Sequence, residues 1–285
     1  MSDPTKLFGV NTYSYTFDRT ALECVNHLGE QGYPGIELMM YPGHLWPAQI
    51  DSTGRRALRQ AAAAHGMRII SVNMPNIDLN IVGASQEMRE YSLGLLSQFV
   101  QLGGELGAPF IVVGPGKANP LFAPPREQLI GHLHQALDHL FPIAEAGGTR
   151  LLIENMPFAF LPDAEAIMQA LDDYGNDGVG VIYDVANGHF IGEDPREGLR
   201  TVRQRLGLVH VSDTACSVYK HDPVGQGDVP FAGLPPVLAE ISYCEMPMLE
   251  IISRDPDTET RDSAGRLARL GYVWSGAAGH DRVPA

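Results

Sequence analysis

The chain of 285 residues has the length of one large α/β domain or two small ones, and its composition, 44% hydrophobic and 19% charged, is that of an ordinary globular protein. Its 34 acidic residues outnumber its 20 basic ones, and the formal net charge of −14 argues against a nucleic-acid partner, which usually meets a basic surface. No apolar run approaches the roughly 18 residues that a membrane-spanning helix needs, so no membrane contact is expected.

Eight short, apolar, β-prone runs recur along the chain and predict eight strands. They occupy residues 8–15, 35–40, 68–75, 109–116, 150–157, 179–185, 208–213 and 248–252. Segments with helical periodicity lie between them, and several end in glycine, the usual helix stop: 20–32, 55–66, 86–107 and 127–147. Because strand and helix alternate, we expect parallel strands joined by right-handed crossovers.

Eight such units in about 250 residues match the count and size of an α/β (β/α)8 TIM barrel. The alternative is a doubly wound open sheet, which usually carries a GxGxxG turn after its first strand. Here the first strand continues into NTYSYTFD, which has no glycine, so the barrel is preferred. The chain has no low-complexity segment and no clear linker. We therefore predict one domain over residues 1–285, with 275–285 as a loose tail.

Active sites of such barrels lie at the C-terminal ends of the strands. The polar residues at the predicted strand ends are Asn11, Glu37 and Asn73 in the first half and Glu154, Asp184, His210 and Glu250 in the second. Glu154 follows a continuous apolar run, 151–153, which is typical of a strand covered on both faces. A carboxylate in that position is costly unless something pairs with it.

The four residues of the second half are spaced by 30, 26 and 40 positions, which places them on successive neighbouring strands. Taken singly, each has an ordinary structural explanation, such as a salt bridge or a turn. Together, three carboxylates and one imidazole suit a divalent cation that keeps open positions for substrate oxygens. We therefore predict one metal site, with Mn²⁺ as the first candidate and Mg²⁺ or Co²⁺ as alternatives.

The motifs IENMP around Glu154, IYDV around Asp184, HVSD around His210 and LEII around Glu250 resemble those of the xylose-isomerase-like barrel superfamily, and of its ketose 3-epimerase branch. The resemblance implies that these four residues bind one divalent metal. It also implies an isomerase or epimerase that acts on a keto-sugar or related polyol through a metal-stabilised enediolate. Glu154 and Glu250 would then flank the substrate carbon as acid and base.

The chain departs from the branch at two places. The branch usually has a DxxH pattern, and here Asn187 stands at that position, with His189 two residues later. The branch also carries an Arg or His before a PGxG turn, a role that Lys220 or His221 would fill here, after an insertion at 214–219 that lengthens the loop.

Further substrate contacts are predicted at the strand ends and in one loop. Trp46, between prolines in 41-YPGHLWPAQ, is a candidate wall for a sugar ring, although it could equally pack this loop onto the barrel. The complete set of predicted substrate-binding residues is Asn11, Glu37, Asn73, Asn187, His189, Asp213, Lys220, His221 and Trp46.

Two other enzyme classes share this barrel. A dehydratase of the inosose or dehydroshikimate type has the same metal set but expels a hydroxide from the enolate, and the sequence does not separate it from the epimerase. A nuclease of the endonuclease-IV type needs three metals and more strand-end histidines, whereas only His210 among ten lies inside a clear strand. A binding protein without catalysis would be supported only by a lack of bound metal.

The remaining predictions concern the cell and the partners. Cys24, Cys216 and Cys244 show no CxxC spacing, so neither a disulfide framework nor a zinc–thiolate site is expected. The N-terminal residues show no secretion signal. These features predict a cytoplasmic protein. The resemblance implies a small-molecule sugar or polyol as the partner, and homo-oligomerisation is left open.

Overall fold

The computed structural model describes residues 3–74 and 78–273, so the predicted tail at 275–285 lies outside the described residues. The strands are β1 (Gly9–Asn11), β2 (Gly35–Met39), β3 (Arg68–Asn73), β4 (Phe110–Val113), β5 (Arg150–Glu154), β6 (Gly180–Asp184), β7 (Leu206–Val211), β8 (Asp213–Ala215), β9 (Val218–Asp222) and β10 (Met248–Leu249). All but β8 and β9 pair in parallel, in the order β1-β10-β7-β6-β5-β4-β3-β2, and close into a barrel. The prediction of a (β/α)8 barrel is confirmed.

Helices connect the barrel strands. They are α1 (Ala21–Glu30), α2 (Ser52–Ala64), α3 (Gln86–Leu106), α4 (Arg126–Ala146), α5 (Ala164–Tyr174), α6 (Val185–Phe190), α7 (Pro195–Val202), α8 (Leu234–Glu240) and α9 (Pro256–Arg269). Across the described ranges, no helix is both long enough and apolar enough to cross a membrane.

The helix ends follow from local sequence. Thr20 and Glu23 form a capping box at the start of α1, in which each side chain accepts the backbone N–H of the other. At the other end of a helix, Gly107 and Gly175 adopt left-handed φ values of 74° and 75° and terminate α3 and α5. Residues with a Cβ rarely adopt this conformation, which is why glycine marks these stops.

The core has two parts. Inside the barrel, side chains from six strands form a closed apolar plug: Ile70, Val112, Leu152, Ile182, Leu208 and Met248. A larger apolar layer lies outside the strands, beneath the amphipathic helices. Because the plug fills the barrel interior, polar side chains that point inward can gather only at its C-terminal end.

The insertion at 214–219 is more than the longer loop that the sequence suggests. It forms most of an antiparallel hairpin, β8–β9, in a separate two-stranded sheet that follows β7 directly. The hairpin contacts α6 through both of its strands. This places β9 beside the C-terminal end of β6, where the candidate site lies.

Candidate metal centre and its cavity

Four side chains converge at the C-terminal end of the barrel. Glu154 and Asp184 are the last residues of β5 and β6, His210 lies in β7, and Glu250 follows β10 directly. One ligand atom of each lies within 4.8 Å of those of the other three, and all four residues are buried. The parallel register pairs Asp184 with His210 across β6 and β7, which explains why these two side chains meet.

The imidazole of His210 is at the centre of the cluster. Its Nδ1 atom lies 3.1 Å from Glu250 Oε2, 3.3 Å from Glu154 Oε1 and 3.7 Å from Asp184 Oδ2. Oxygen and nitrogen atoms that share one small divalent cation stand roughly 3 Å apart. The arrangement of donor atoms therefore fits such a cation.

Three of the atoms that could coordinate a cation lack a hydrogen-bond partner. They are Asp184 Oδ2, His210 Nδ1 and Glu250 Oε2, and each is fully shielded from solvent among the described residues. A buried polar atom without a partner is costly and rare in native structures. A bound cation would satisfy all three at once, so the residues present fit a divalent metal.

Glu37 supports this cluster from below. Its Oε1 atom accepts hydrogen bonds from His210 Nε2 at 2.7 Å and from Asn73 Nδ2 at 3.3 Å, and its Oε2 atom accepts one from Ser71 Oγ at 2.5 Å. Burial alone would raise the pKa of Glu37, but the charge and hydrogen bond of His210 and the other donors hold it below its usual value. An ionised carboxylate can only accept, so His210 carries its proton on Nε2 and turns Nδ1 toward the other carboxylates.

Asp184 is fixed by the helix that it starts. Its Oδ1 atom accepts the backbone N–H of Asn187 at 2.8 Å and so caps α6. Asn155 binds the backbone of Asp184 on both sides, accepting its N–H at 2.7 Å and donating to its carbonyl at 3.0 Å. Burial works to raise the pKa of Asp184, but the charges of His221 and His210 and the Asn187 N–H outweigh it and lower that pKa.

The pKa values of Glu154 and Glu250 are shifted in the opposite direction from that of Asp184. Burial raises the pKa of Glu154 to about 7. Burial also raises the pKa of Glu250, against the attraction of His210 and His221. A carboxyl group whose pKa lies near neutrality is suited to take up and release a proton during catalysis.

The β8–β9 hairpin adds a second histidine to the site. His221 Nδ1 lies 3.3 Å from Glu250 Oε2, 3.6 Å from Asp184 Oδ2 and 3.0 Å from Ser212 Oγ. The hydroxyl of Tyr219 donates to Asn187 Oδ1 at 2.8 Å and lies 2.9 Å from His221 Nε2. Asn187, which stands where the resembling branch has histidine, is thus tied to this hairpin.

A cavity of about 400 Å³ opens above the cluster. Its lining residues are Tyr13, Met39, Asn73, Met74, Gly116, Lys117, Glu154, Met156, Pro157, Phe158, Ala159, Asn187, Tyr219, His221, Glu250 and Ile252. Of the predicted substrate contacts, the cavity is lined by Asn73, Asn187 and His221. Asn11 and Glu37 lie beneath it, since Asn11 Nδ2 donates to both Glu37 and Glu250.

Four other predicted contacts lie away from the cavity. His189 pairs with Asp228 at 2.6 Å, and Lys220 is exposed and lies 3.3 Å from Asp222. Asp213 accepts the backbone N–H groups of Gly225 and Val229 and so braces the loop after β9. Trp46 packs edge-on against Phe99, with ring centroids 5.1 Å apart, so it holds its loop down onto the barrel.

The sequence analysis missed, among others, two cavity residues, Tyr219 and Phe158, and one buried residue beside the cluster, Asn155. Tyr219 directly precedes Lys220 and His221, the two residues that the sequence predicts as substrate contacts in this loop. Its side chain points toward Asn187 because the segment folds as a hairpin. Phe158 follows the IENMP motif directly and lines the cavity with 65% of its surface exposed. Asn155 lies inside that motif, and its position next to a strand-end carboxylate was the available signal.

Comparisons with known proteins agree with this architecture. The family model described as "Xylose isomerase-like TIM barrel" matches residues 25–270. The match covers most of the chain, and the protein therefore belongs to the xylose isomerase-like TIM barrel family.

Two curated relatives come from Methanocaldococcus jannaschii. "Uncharacterized protein MJ1311" is 24% identical over 182 residues, which cover 61% of this chain and 61% of the relative. "Uncharacterized protein MJ1614" is 24% identical over 189 residues, which cover 65% of this chain and 72% of the relative. The chain thus spans less than two thirds of the first relative's length.

Several solved structures share the fold. A D-tagatose 3-epimerase-like protein superposes with a TM-score of 0.80 at 18% identity, over 92% of this chain and 97% of that one. D-psicose 3-epimerase from Clostridium cellulolyticum H10 superposes with a TM-score of 0.78 at 15% identity, over 93% of this chain and 98% of that one. A 3-keto-D-glucoside 4-epimerase from E. coli superposes with a TM-score of 0.76 at 18% identity, over 93% of this chain and 99% of that one. At such identities the likeness establishes the fold alone.

Proposed function

We propose that this protein is a divalent-metal-dependent isomerase or epimerase that acts on a keto-sugar or a related polyol. The observation that carries the proposal is the buried cluster of three carboxylates and one imidazole, three of whose donor atoms lack partners, at the floor of a cavity. Buried unpaired charge of this kind is retained in proteins chiefly where it serves a function.

Glu154, Asp184, His210 and Glu250 would hold the cation, with Mn²⁺ as the first candidate and Mg²⁺ or Co²⁺ as alternatives. When bound, the cation would polarise a substrate carbonyl as a Lewis acid. Glu37 would keep the imidazole of His210 in the tautomer that leaves Nδ1 free.

Glu154 and Glu250 are proposed to move the proton. Both line the cavity, and burial raises the pKa of each. One carboxylate would remove the proton from the carbon beside the carbonyl group, which gives an enediolate. The other would return a proton to the opposite face and so invert that carbon.

Proteins of the same fold support this reaction class. They include enzymes named as ketose 3-epimerases and one named as a 3-keto-glucoside 4-epimerase. Both names describe inversion of a carbon next to a carbonyl group. The names share a reaction class but differ in the sugar. The substrate is therefore proposed only as a keto-sugar or related polyol, with or without a phosphate.

The test begins with metal content. The purified protein and the variants Asp184→Asn and His210→Ala are compared by elemental analysis, and both variants should lose most of the bound metal. The metal-loaded protein is then offered ketoses, phosphorylated ketoses, inososes and dehydroshikimate, and an isomerised or epimerised product is expected. Normal metal content in both variants would refute the assignment of the ligands.

A dehydratase remains the second candidate because of His221. Its imidazole lines the cavity with Nδ1 3.3 Å from Glu250, where it could protonate a departing hydroxide. Formation of a dehydrated product from inosose or dehydroshikimate, without epimerised ketose, would favour this candidate.

A further inference from the structure

The wall of the cavity differs sharply from its floor. The floor carries the candidate metal-binding side chains Glu154 and Glu250, and the lining also includes the polar side chains of Tyr13, Asn73, Lys117, Asn187, Tyr219 and His221. Above the floor the wall is formed largely by apolar side chains, among them three methionines, Met39, Met74 and Met156, together with Phe158 and Ile252. Two of these, Phe158 and Ile252, are exposed by 65% and 41%, so they present apolar surface to solvent at the cavity.

Two polar side chains of the lining, Asn187 and Tyr219, are already engaged within the protein. The Asn187 side chain accepts the Tyr219 hydroxyl with Oδ1 and donates from Nδ2 to the carbonyl of Asn155 at 2.8 Å. The Tyr219 hydroxyl also meets His221 at 2.9 Å, so its ring, rather than its hydroxyl, is what it offers to the cavity. A sugar hydroxyl placed against these two side chains would lose water and find their polar atoms already bonded, which is costly.

Three rings form an aromatic cluster at this side of the cavity. Phe158, Phe190 and Tyr219 have centroids 5.2 to 6.0 Å apart, and the Phe158 and Tyr219 rings meet edge to face at 87°. Tilted and edge-to-face contacts at these distances are the ones that aromatic rings prefer. Phe158, the most exposed of the three, has most of its surface free for one more ring.

We infer that the substrate carries an aromatic group, as in an aryl glycoside, and that the aromatic cluster binds this group while the keto-sugar occupies the floor. The inference rests on the proposed function for the identity of the sugar part. A cavity of about 400 Å³ falls in the range of roughly 300 to 1,000 Å³ that is usual for ligands of this size.

The test uses glycosides that lack the ketone and cannot react, so that it does not depend on turnover. Binding of methyl and phenyl glucosides, as matched pairs of both anomers, is measured by calorimetry on the metal-loaded protein. In at least one pair the phenyl compound should bind about tenfold more tightly, because a ring contact adds to apolar burial. Phe158→Ala should remove most of this preference, and Phe158→Leu should leave an intermediate value.

Phe122→Ala is the matched control, since Phe122 is exposed by 89% and does not line the cavity; its preference should equal that of the unaltered protein. Equal affinities in both pairs, or no binding of any of the four compounds, would overturn the inference. So would a preference that survives in Phe158→Ala. A protein that prefers phenyl glucosides but converts no ketose would refute the proposed function and leave the aromatic site standing.

Discussion

The carboxylate of Glu37 and the imidazole of His210 meet at 2.7 Å, and neither residue has any exposed surface. Because Glu37 also accepts hydrogen bonds from Ser71 and Asn73 of β3 and from Asn11 of β1, its position is fixed by both neighbouring strands. It therefore fixes both the orientation and the tautomer of His210. The ligand atom Nδ1 is aimed at the carboxylates by a residue that does not touch the cavity.

Replacing Glu37 by glutamine should weaken metal binding by about 10- to 100-fold, the usual cost of losing a residue that orients a ligand. A glutamine amide can donate to Nε2 and so favour the tautomer with its proton on Nδ1, which cannot bind metal. Metal titration followed by calorimetry measures the effect. Glu193→Gln, which alters a carboxylate bonded to Tyr183 and the Ala164 N–H, should keep normal affinity. Unchanged affinity in Glu37→Gln would show that His210 is oriented by other contacts.

Glutamine at position 154 or 250 should lower turnover by about 100-fold or more, because glutamine cannot take up the proton. An amide oxygen can still coordinate, so metal content should be partly retained. Turnover in D₂O should place deuterium at the reacting carbon, while Glu165→Gln, on the exposed side of α5, should behave like the unaltered protein. A product without deuterium would indicate a hydride shift, and Glu154 and Glu250 would then be ligands only.

The metal-free protein should lose stability as the pH rises from about 5 to about 8. Burial raises the pKa of Glu154 to about 7, and a raised pKa gives stability that is complete below the unfolded value and disappears above the folded one. His210 acts in the same direction, because the charges of Glu37 and Glu250 overcome burial and raise its pKa. The lowered pKa of Asp184 affects the stability only in more acidic solution, below the interval considered.

Thermal unfolding of metal-free protein should show this as a Tm that falls by a few degrees across the interval. The fall should be smaller in Glu154→Gln, which has no titrating group at that position. Added Mn²⁺ should stabilise the protein more at pH 8 than at pH 5, since protons compete with the metal for the same atoms. A Tm difference between the variant and the unaltered protein that is independent of pH would contradict the assigned pKa.

DNA with an abasic site should remain uncut by the metal-loaded protein. The net charge of −14 opposes binding to a polyanion, and the described cluster offers a single metal site with one histidine from a barrel strand. Gel analysis after incubation with Mn²⁺ and with Zn²⁺ provides the measurement. Cleavage beside the lesion that disappears in His210→Ala would overturn this prediction.

The sequence predicts the parts of the structure that depend on strand order. Alternation of strands and helices is enough for the barrel, and strand-end logic is enough to group Glu154, Asp184, His210 and Glu250, since parallel strands end at one face. It does not predict depth along the barrel axis. For this reason the sequence predicts that Glu37 and Asn11 contact substrate, whereas they lie one level below the cavity and form hydrogen bonds with His210 and Glu250.

The sequence also does not predict the contacts made by the β8–β9 hairpin and by the loop that carries Trp46. Residues 214–222 contain no turn motif as strong as Asn-Gly, so the sequence predicts a loop where the structure has a hairpin, and it gives no direction for the Tyr219 side chain. Trp46 illustrates the opposite case. An aromatic residue between prolines fits either a ligand wall or a packed loop, and only the neighbouring Phe99 decides between them.

The β8–β9 hairpin has a consequence for how this protein could acquire a new specificity. The four side chains of the candidate metal centre are carried by the barrel strands or follow one directly, whereas Tyr219 and His221 are carried by the separate β8–β9 hairpin. Exchanging residues 214–222 for the corresponding segment of a relative would replace groups that line the cavity without cutting any barrel strand. The cavity lining contributed by this hairpin can therefore be varied by evolution or by design, while the barrel and the four side chains of the candidate metal centre stay unchanged.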